Sequence, residues 1–260
     1  MKFSIVTISY NQGRFLEQAI RSVIDQQHAD VEYIVVDPGS TDGSREIIEK
    51  YGKRIAKVIF EPDHGPADGL NKGFTRATGE IYAYLNADDY FEPRAFATVV
   101  QFFQRRPEVD VLCGAIRIIR HDGVARLRTE IAERFDLKKF LAGVCVVGQQ
   151  GTFFRRRAFE RADGFNRENR TCWDAELLVD FALTGSQFAV LHRVLGNFRL
   201  HPGSISGSGR LNAQYFEDLK RVRGRLAAAA NIRIHPARRA AMCVAHKANV
   251  VRHLRALMVR

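Results

Sequence analysis

The first hundred residues alternate short apolar runs with amphipathic stretches. Phe3 to Ser9 is an apolar run of strand length. The pairs Phe15/Leu16, Ala19/Ile20 and Val23/Ile24 then recur every four residues, the stripe of a helix lying on a core. Val31 to Asp37 predicts a second strand, and Ser40-Thr41-Asp42-Gly43 is a cap-rich turn before a short helix carrying Ile47, Ile48 and Tyr51. Ala56 to Phe60 predicts a third strand. Pro66 suits the first turn of a helix with apolar positions Ala67, Leu70 and Phe74, and Gly79 lies just past its end. Ile81 to Leu85 predicts a fourth strand that runs into Asn86-Ala87-Asp88-Asp89, after which Pro93 opens a helix with Phe96, Val99, Val100 and Phe103. Such alternation is the sequence form of a parallel sheet with crossover helices.

Beyond residue 108 the pattern loosens. Val109 to Arg120 predicts a strand, and residues 126–147 carry no clear period. From Asp174, Leu178, Phe181, Ala182 and Gly185 follow helical spacing, and Gln187 to Leu191 predicts a strand. Phe198 and Leu200 alternate with Arg199 and His201, so an extended segment presents the two basic side chains on one face. Pro202 to Arg210 reads as a mobile Gly/Ser loop, and Leu211 to Asn231 and Ala237 to Met258 as two helices parted near Pro236.

Size and composition agree with an ordinary globular chain. At 260 residues, with 46% hydrophobic and 27% charged residues, one large domain with or without an appendage is expected, and it needs no disulfide or metal staple. The cysteines, Cys113, Cys145, Cys172 and Cys243, form no C-x-x-C pair and read as buried free thiols. No run has the length of a bilayer span, and Tyr10 and Asn11 interrupt the first apolar stretch before it reaches signal length, so a cytoplasmic protein is expected.

Charge is uneven. The net +11 falls almost wholly in residues 210–260, where 12 Lys or Arg face only Glu217 and Asp218. The expected organisation is therefore a body over residues 1–209, with a ligand-binding half at 1–115 and a second half at 116–209, followed by a basic helical tail at 210–260. Two stripes, Tyr215, Phe216, Leu219, Val222 and Leu226, then Val250, Val251, Leu254 and Met258, make that tail amphipathic. It suits an anionic membrane surface at the inner face of the plasma membrane, or packing on the body or on a second copy as a homodimer.

Chemistry collects where the strands end. In open parallel sheets, ligands bind outside the carboxyl ends of the strands. Here those ends carry Ser9-Tyr10-Asn11, Asp37, then Glu61 and Asp63, then Asn86 and Asp88-Asp89. Hard oxygen donors at Asp88-Asp89 suit Mg²⁺ or Mn²⁺, which bind through one or two carboxylates together with substrate phosphates, although both side chains are also placed to cap the next helix. No Walker loop, dinucleotide fingerprint or G-x-S-x-G elbow is present.

Ser4-Ile-Val-Thr-Ile-Ser-Tyr-Asn-Gln12, Val36-Asp37-Pro-Gly-Ser-Thr-Asp-Gly43, Asp63-His-Gly-Pro-Ala-Asp-Gly-Leu-Asn-Lys-Gly73 and the segment from Gly79 to Asp89 resemble, in order and spacing, the blocks of inverting family 2 glycosyltransferases. A weaker likeness continues through Gly151 to Arg155, Trp173 to Leu177 and Phe198 to His201. The resemblance implies a GT-A fold, an α/β architecture with a Rossmann-like, mostly parallel sheet between helices. It implies transfer of a sugar from a nucleotide-diphosphate sugar, a UDP-sugar above all, to a hydroxyl of a glycan or lipid-linked glycan during polysaccharide or surface-glycan assembly. Asp37 would hold the base or ribose, with Ser9 and Tyr10 lining the base pocket and Asn86 beside the ribose. Asp88 would ligate Mn²⁺ or Mg²⁺, with His201 as a second ligand or phosphate donor. Asn at the first position of the family's D-x-D leaves one firm carboxylate ligand. Arg199 would neutralise the departing group, and Asp63, Asp68 and Lys72 belong to the donor side, where Lys72 also suits an i,i+4 pair with Asp68.

Asp174 falls where that family places its catalytic carboxylate, with Glu176 and Asp180 as neighbours. Its place at a helix start is expected to depress its pKa. Trp173 offers a flat surface for an acceptor sugar or sits in the core, and Glu176 is a candidate acceptor contact. Two other classes are weaker. A sugar nucleotidyltransferase wants a Gly-rich loop with Arg and Lys after the first strand, where this chain has Tyr10-Asn11-Gln12-Gly13. A nucleic-acid-binding protein wants aromatic residues interleaved with the basic ones, and the tail lacks that interleaving; nucleic acid is not an expected partner.

Overall fold

The computed structural model describes residues 1–28, 30–121, 126–145 and 147–249. The first half is β1 (Phe3–Ile8), α1 (Gly13–Ile24), β2 (Val31–Val36), α2 (Ser44–Lys50), β3 (Lys57–Ile59), α3 (Pro66–Thr75), β4 (Ile81–Asn86), β5 (Tyr90–Phe91) and α4 (Ala95–Arg105). The second half is β6 (Val111–Arg120), β7 (Arg126–Glu130), α5 (Leu137–Ala142), β8 (Thr152–Arg155), α6 (Arg156–Arg161), α7 (Trp173–Leu183), β9 (Phe188–Leu200), α8 (Ile205–Ser208), α9 (Asn212–Ala229) and α10 (Pro236–Lys247).

One sheet runs in the order β3-β2-β1-β4-β8-β6-β9-β5, with β7 on β6. β3, β2, β1 and β4 are parallel, and β8 enters antiparallel beside β4. Alternation sorts the strand side chains onto two faces. Val6, Ile34, Val36, Tyr82 and Tyr84 face α3 and its Leu70 and Phe74. Phe3, Ile5, Tyr33, Val35, Ala83 and Leu85 face α1 and α4 through Leu16, Ile20, Phe96 and Phe103. α3 lies directly on β1: a Cβ at Gly73 would sit 2.4 Å from Val6 Cγ1.

Several expectations change. Residues 188–191 of the expected short strand and 198–200 of the extended segment are parts of one long β9, which β6 pairs in parallel on both sides of an irregularity around residues 192–195. The unperiodic region contains β7 and α5, the latter capped by Asp136, whose side chain accepts from Lys139 N. The Gly/Ser stretch is not an open loop: Ser204 accepts from Gly207 N and caps α8. Asp88 and Asp89 do not cap α4, since β5 intervenes and Arg94, in a left-handed conformation, precedes the helix.

The tail begins as part of the body. Val222 and Leu226 of α9 are fully buried in the same core as α3 and α7. Arg221 pairs with Glu176, Arg225 with Asp180, and Thr171 donates to Asp218 at 2.7 Å. A boundary at residue 209 therefore cuts through packed structure. The second predicted helix is described as far as Lys247, and its stripe at Val250, Val251, Leu254 and Met258 lies outside the described residues. Leu226→Ala should lower stability by about 2–5 kcal/mol, the cost of a core cavity; urea unfolding of the full chain measures it, and a cost near zero would return α9 to the status of an appendage.

Candidate active site at the carboxyl edge of the sheet

The register brings three strand ends together: Ile8 pairs with Val36 on one side and with Asn86 on the other. Ser9 Oγ, Asp37 Oδ2 and Asn86 Oδ1 are each buried without a hydrogen-bond partner. The amino edge of the same strands is different. Glu32 there accepts from Ser4 Oγ, Thr78 N and Lys57 Nζ at 2.6, 2.7 and 3.0 Å. Burial alone would raise its carboxyl, but those hydrogen bonds hold it down at about 2. A buried polar group left unpaired costs about 1–3 kcal/mol. Its concentration at one edge marks a surface that meets its partners in a ligand.

Asp37 is held by its own turn. Its Oδ1 accepts from Gly39 N at 3.1 Å and Ser40 N at 2.8 Å, with Arg45 Nε at 3.4 Å. The loop after β1 is laced to this turn: Asn11 N donates to Ser40 Oγ, Thr41 N to Asn11 Oδ1 and Gly13 N to Asp42 Oδ2, at 2.8, 2.9 and 2.8 Å. Asn11 adopts a φ of 52°, a region asparagine tolerates. Tyr10, 62% exposed, stands between the buried Ser9 and this lacing.

Asp88, Asp89, Arg199 and His201 meet although they lie more than a hundred positions apart. His201 Nε2 is 2.9 Å from Asp88 Oδ2. Arg199 Nε donates to Asp88 O at 2.9 Å, and its terminal nitrogens donate to Gln18 Oε1 at 2.6 Å and His121 O at 3.2 Å. The guanidinium also lies 4.7 Å over the Phe15 ring, and its residue is 2% exposed. Three of its five N–H donors are bonded inside the protein, which makes Arg199 a clamp on the Asp88-Asp89 segment. Asp89 Oδ1 accepts from Arg199 N at 2.9 Å and Oδ2 from Gln150 Nε2 at 2.7 Å. Burial, then the charge of Asp88, pushes the Asp89 carboxyl well up.

The third group borders this edge. Asp63 Oδ1 accepts from Gly65 N at 2.9 Å, and burial raises its carboxyl. Asp68 is 3% exposed, accepts from His64 N, and pairs with Lys72 at 3.3 Å and Arg167 at 3.4 Å. Lys72 also donates to Pro62 O. The i,i+4 pair is present, and both side chains brace the loop ahead of α3.

Asp174 lies in the first turn of α7, half-buried, with Cys172 at the cap position. The helix start does not depress its pKa as expected: burial raises it and outweighs hydrogen bonds from the Ala175 and Asp174 N–H groups. Trp173 is 8% exposed and belongs to the core. Glu176 is 2% exposed and clamped by Arg221 through two contacts of 2.8 Å and by Asn169 at 2.7 Å. Burial would raise its carboxyl, but these partners hold it low. It ties α7 to α9 and has no oxygen to spare for an acceptor.

Gln149 and Gln150 escaped the sequence reading because isolated glutamines have no periodic or spacing signal. The 3₁₀ turn Gln149–Gly151 holds them between the two carboxylate centres: Gln149 Nε2 donates to Tyr84 O at 2.6 Å, and Gln150 reaches Asp89. For a divalent cation, the Asp88 carboxylate and His201 imidazole in contact form a fitting pair of donors. Among the described residues no group of three or more His, Cys, Asp or Glu gathers. Such a cation would need ligand oxygens to complete its shell, as Mg²⁺ and Mn²⁺ commonly do.

The chain matches glycosyl transferase family 2 over residues 4–163. An uncharacterized glycosyltransferase of Nostoc sp. is 40% identical over 115 residues, 43% of this chain and 36% of that protein. The putative teichuronic acid biosynthesis glycosyltransferase TuaG of Bacillus subtilis is 38% identical over 106 residues, 40% of this chain and 42% of its own. These matches thus span well under half of either relative. An uncharacterized glycosyltransferase of Mycobacterium tuberculosis is 30% identical over 221 residues, 84% of this chain and 82% of its own. Among solved structures, S. aureus TarS 1–349 in complex with UDP-GlcNAc superposes with a TM-score of 0.71 at 20% identity, over 98% of this chain and 73% of that one. The mannosyltransferase PcManGT of Pyrobaculum calidifontis, in complex with GDP-Man and Mn²⁺, gives 0.66 at 18% identity over 99% and 73%. The fold is the GT-A fold.

Arg199→Lys should destabilise the chain by about 1–3 kcal/mol, because an ammonium cannot reach the Asp88 carbonyl, Gln18 and the His121 carbonyl together. Chemical denaturation reads the loss; an unchanged midpoint would remove the clamp.

Proposed function

The chain belongs to glycosyl transferase family 2, and from that premise we propose that it transfers a sugar from a nucleoside-diphosphate sugar to a hydroxyl of a glycan or lipid-linked glycan, with inversion at the anomeric carbon. One observation carries the reading: three unpartnered buried oxygens, on Ser9, Asp37 and Asn86, end adjoining strands. A nucleoside brings the donors they need, base N–H and ribose hydroxyl groups, and the exposed Tyr10 adds a flat surface for the base. The UDP-GlcNAc in TarS and the GDP-Man in PcManGT support a donor of that class. The description of TuaG supports surface-glycan assembly as the setting.

Asp88 and His201 would hold Mn²⁺ or Mg²⁺, which supplies positive charge against the diphosphate as it leaves. The Mn²⁺ in PcManGT supports that choice. Arg199 and Gln150 keep the Asp88-Asp89 segment in place. Asp174 takes the proton of the acceptor hydroxyl while that oxygen bonds to the anomeric carbon, and the bond from that carbon to the diphosphate oxygen breaks on the opposite face. No covalent enzyme intermediate is needed. Burial gives Asp174 the proton affinity a base requires. Tyr215 and Phe216, exposed beside Arg210 and Lys220, suit contact with an anionic membrane surface that carries a lipid-linked acceptor. Among the described residues, no helix is long and apolar enough to cross a membrane.

Asp174→Asn should lower kcat by roughly 10²–10⁴-fold, the span of general base catalysis, in an assay of nucleoside diphosphate release. The same change should raise the melting temperature at pH 7. A carboxyl whose pKa is raised on folding costs stability above its unfolded pKa of about 3.9, so the gain should fade below that pH. Near wild-type turnover would move the base elsewhere. In a thermal-shift panel of nucleotide sugars with Mn²⁺, the matching donor should raise the wild-type melting point by several degrees, and Asp88→Ala should lose most of that rise. An equal rise in the variant would remove Asp88 from the cation site.

A further inference from the structure

Beside Asp174 lies a small cavity lined by Tyr84, Gln149 and Thr152 and walled by Val147, Phe154 and Leu177. Two of its polar groups make no well-formed hydrogen bond: the Tyr84 hydroxyl, whose oxygen the Trp173 N–H approaches, and Gln149 Oε1. Tyr84 is 3% exposed and Gln149 is 9% exposed. The third, Thr152 Oγ1, is already spent on Gly148 O at 2.9 Å. The Asp174 carboxylate meets only backbone N–H groups of its own turn. An O–H donor, a carbonyl acceptor and an under-coordinated carboxylate thus share one enclosure.

Neither partner is there by loose packing. Tyr84 sits on β4 two residues before Asn86, and the Gln149 amide is oriented by its 2.6 Å bond to the Tyr84 carbonyl, which leaves Oε1 as the free end. The turn carrying Gln149 is tightly gripped. A Cβ at Gly148 would fall 2.5 Å from Ile116 Cδ1, and one at Gly151 would fall 2.5 Å from Gly114 O.

We propose that Tyr84 and Gln149 are positioning residues for Asp174, an O–H donor and a carbonyl acceptor that hold its carboxylate in the cavity and set its proton affinity from opposite directions. The functional meaning of this pair rests on Asp174 being the base. Tyr84 O–H donates toward the ionised carboxylate and favours it, while the oxygen of Gln149 turns negative density toward the same group and favours its protonated form. The balance keeps the base ionised near neutral pH and still able to accept a proton. The titratable groups around Asp174 are Tyr84 of β4, Cys172 ahead of α7 and Tyr215 of α9, with Asp89 acting on Tyr84 from beyond the strand. Burial raises the phenols and the thiol, so near pH 7 all three are uncharged.

The test reads Asp174 without substrate. Carbon NMR of the side-chain carboxyls of the full chain follows each titration, and Asp174→Asn identifies the Asp174 signal by its loss. Tyr84→Phe should move the Asp174 titration to higher pH and Gln149→Leu to lower pH, each by about half a unit or more. Thr152→Val, whose hydroxyl is already bound elsewhere, should leave it in place. Tyr84→Phe keeps the buried ring and removes only the hydroxyl, so the chain should stay folded, as its unfolding transition will show, and keep the result readable. Shifts of the same sign in both variants, no shift in Tyr84→Phe, or an equal shift in Thr152→Val would overturn the proposal. Turnover of Asp174→Asn tests the base itself, so these titrations stand or fall apart from that reading. Where the base reading holds, the acid limb of kcat should follow the NMR shifts in both variants.

Discussion

Everything at the proposed site hangs on the parallel pairing of β1 between β2 and β4. Because Ile8 is in register with both Val36 and Asn86, the residues that follow three separate strands emerge at one rim. A slip of one residue would turn the apolar side chains of a strand to the wrong face, so the two-sided core protects that register. The polar groups at the two ends of the strands are then treated differently. Glu32 at the amino edge is fully bonded and serves the fold, while Ser9, Asp37 and Asn86 at the carboxyl edge keep oxygens free for something else.

Carboxylates in and around the site meet different fates according to their neighbours. Glu176 has two arginine contacts and two asparagines, remains ionised, and acts as a tie between α7 and α9. Asp89 faces a like charge and is pushed toward its neutral form while it anchors the backbone of Arg199. Among the described residues Asp174 meets no cationic side chain, only backbone N–H groups, so burial governs it. That carboxylate is the one proposed to take the acceptor proton. Arg199 shows the same logic for a cation, since a guanidinium enclosed by Phe15, Gln18 and two carbonyls holds the site in shape.

The basic C-terminal region joins these themes. Its charge looked like the mark of a separate tail, yet Arg221 and Arg225 are spent on Glu176 and Asp180, and Val222 and Leu226 lie in the main core. α9 thereby steadies the helix whose first turn carries Asp174. Tyr215 and Phe216 stay exposed on α9.

The amino-acid sequence by itself determined the alternating first half, because apolar period and turn residues act over a few positions. It also determined the strand-end residues Ser9, Asp37, Asn86 and Asp88, since each follows directly from where an apolar run stops. It did not reveal that Phe188–Leu200 is one strand, because β6 pairs with it on both sides of an irregularity that holds the exposed His192 and Arg193, a long-range match that no local pattern carries. Nor did it reveal the contact of Asp88 with His201, the inward turn of Trp173, the upward shift of Asp174 or the place of Gln149. These depend on which distant groups share a low-dielectric enclosure, and the tertiary structure alone decides that by bringing residues 84, 149 and 174 to one cavity and residues 18, 88 and 199 into contact.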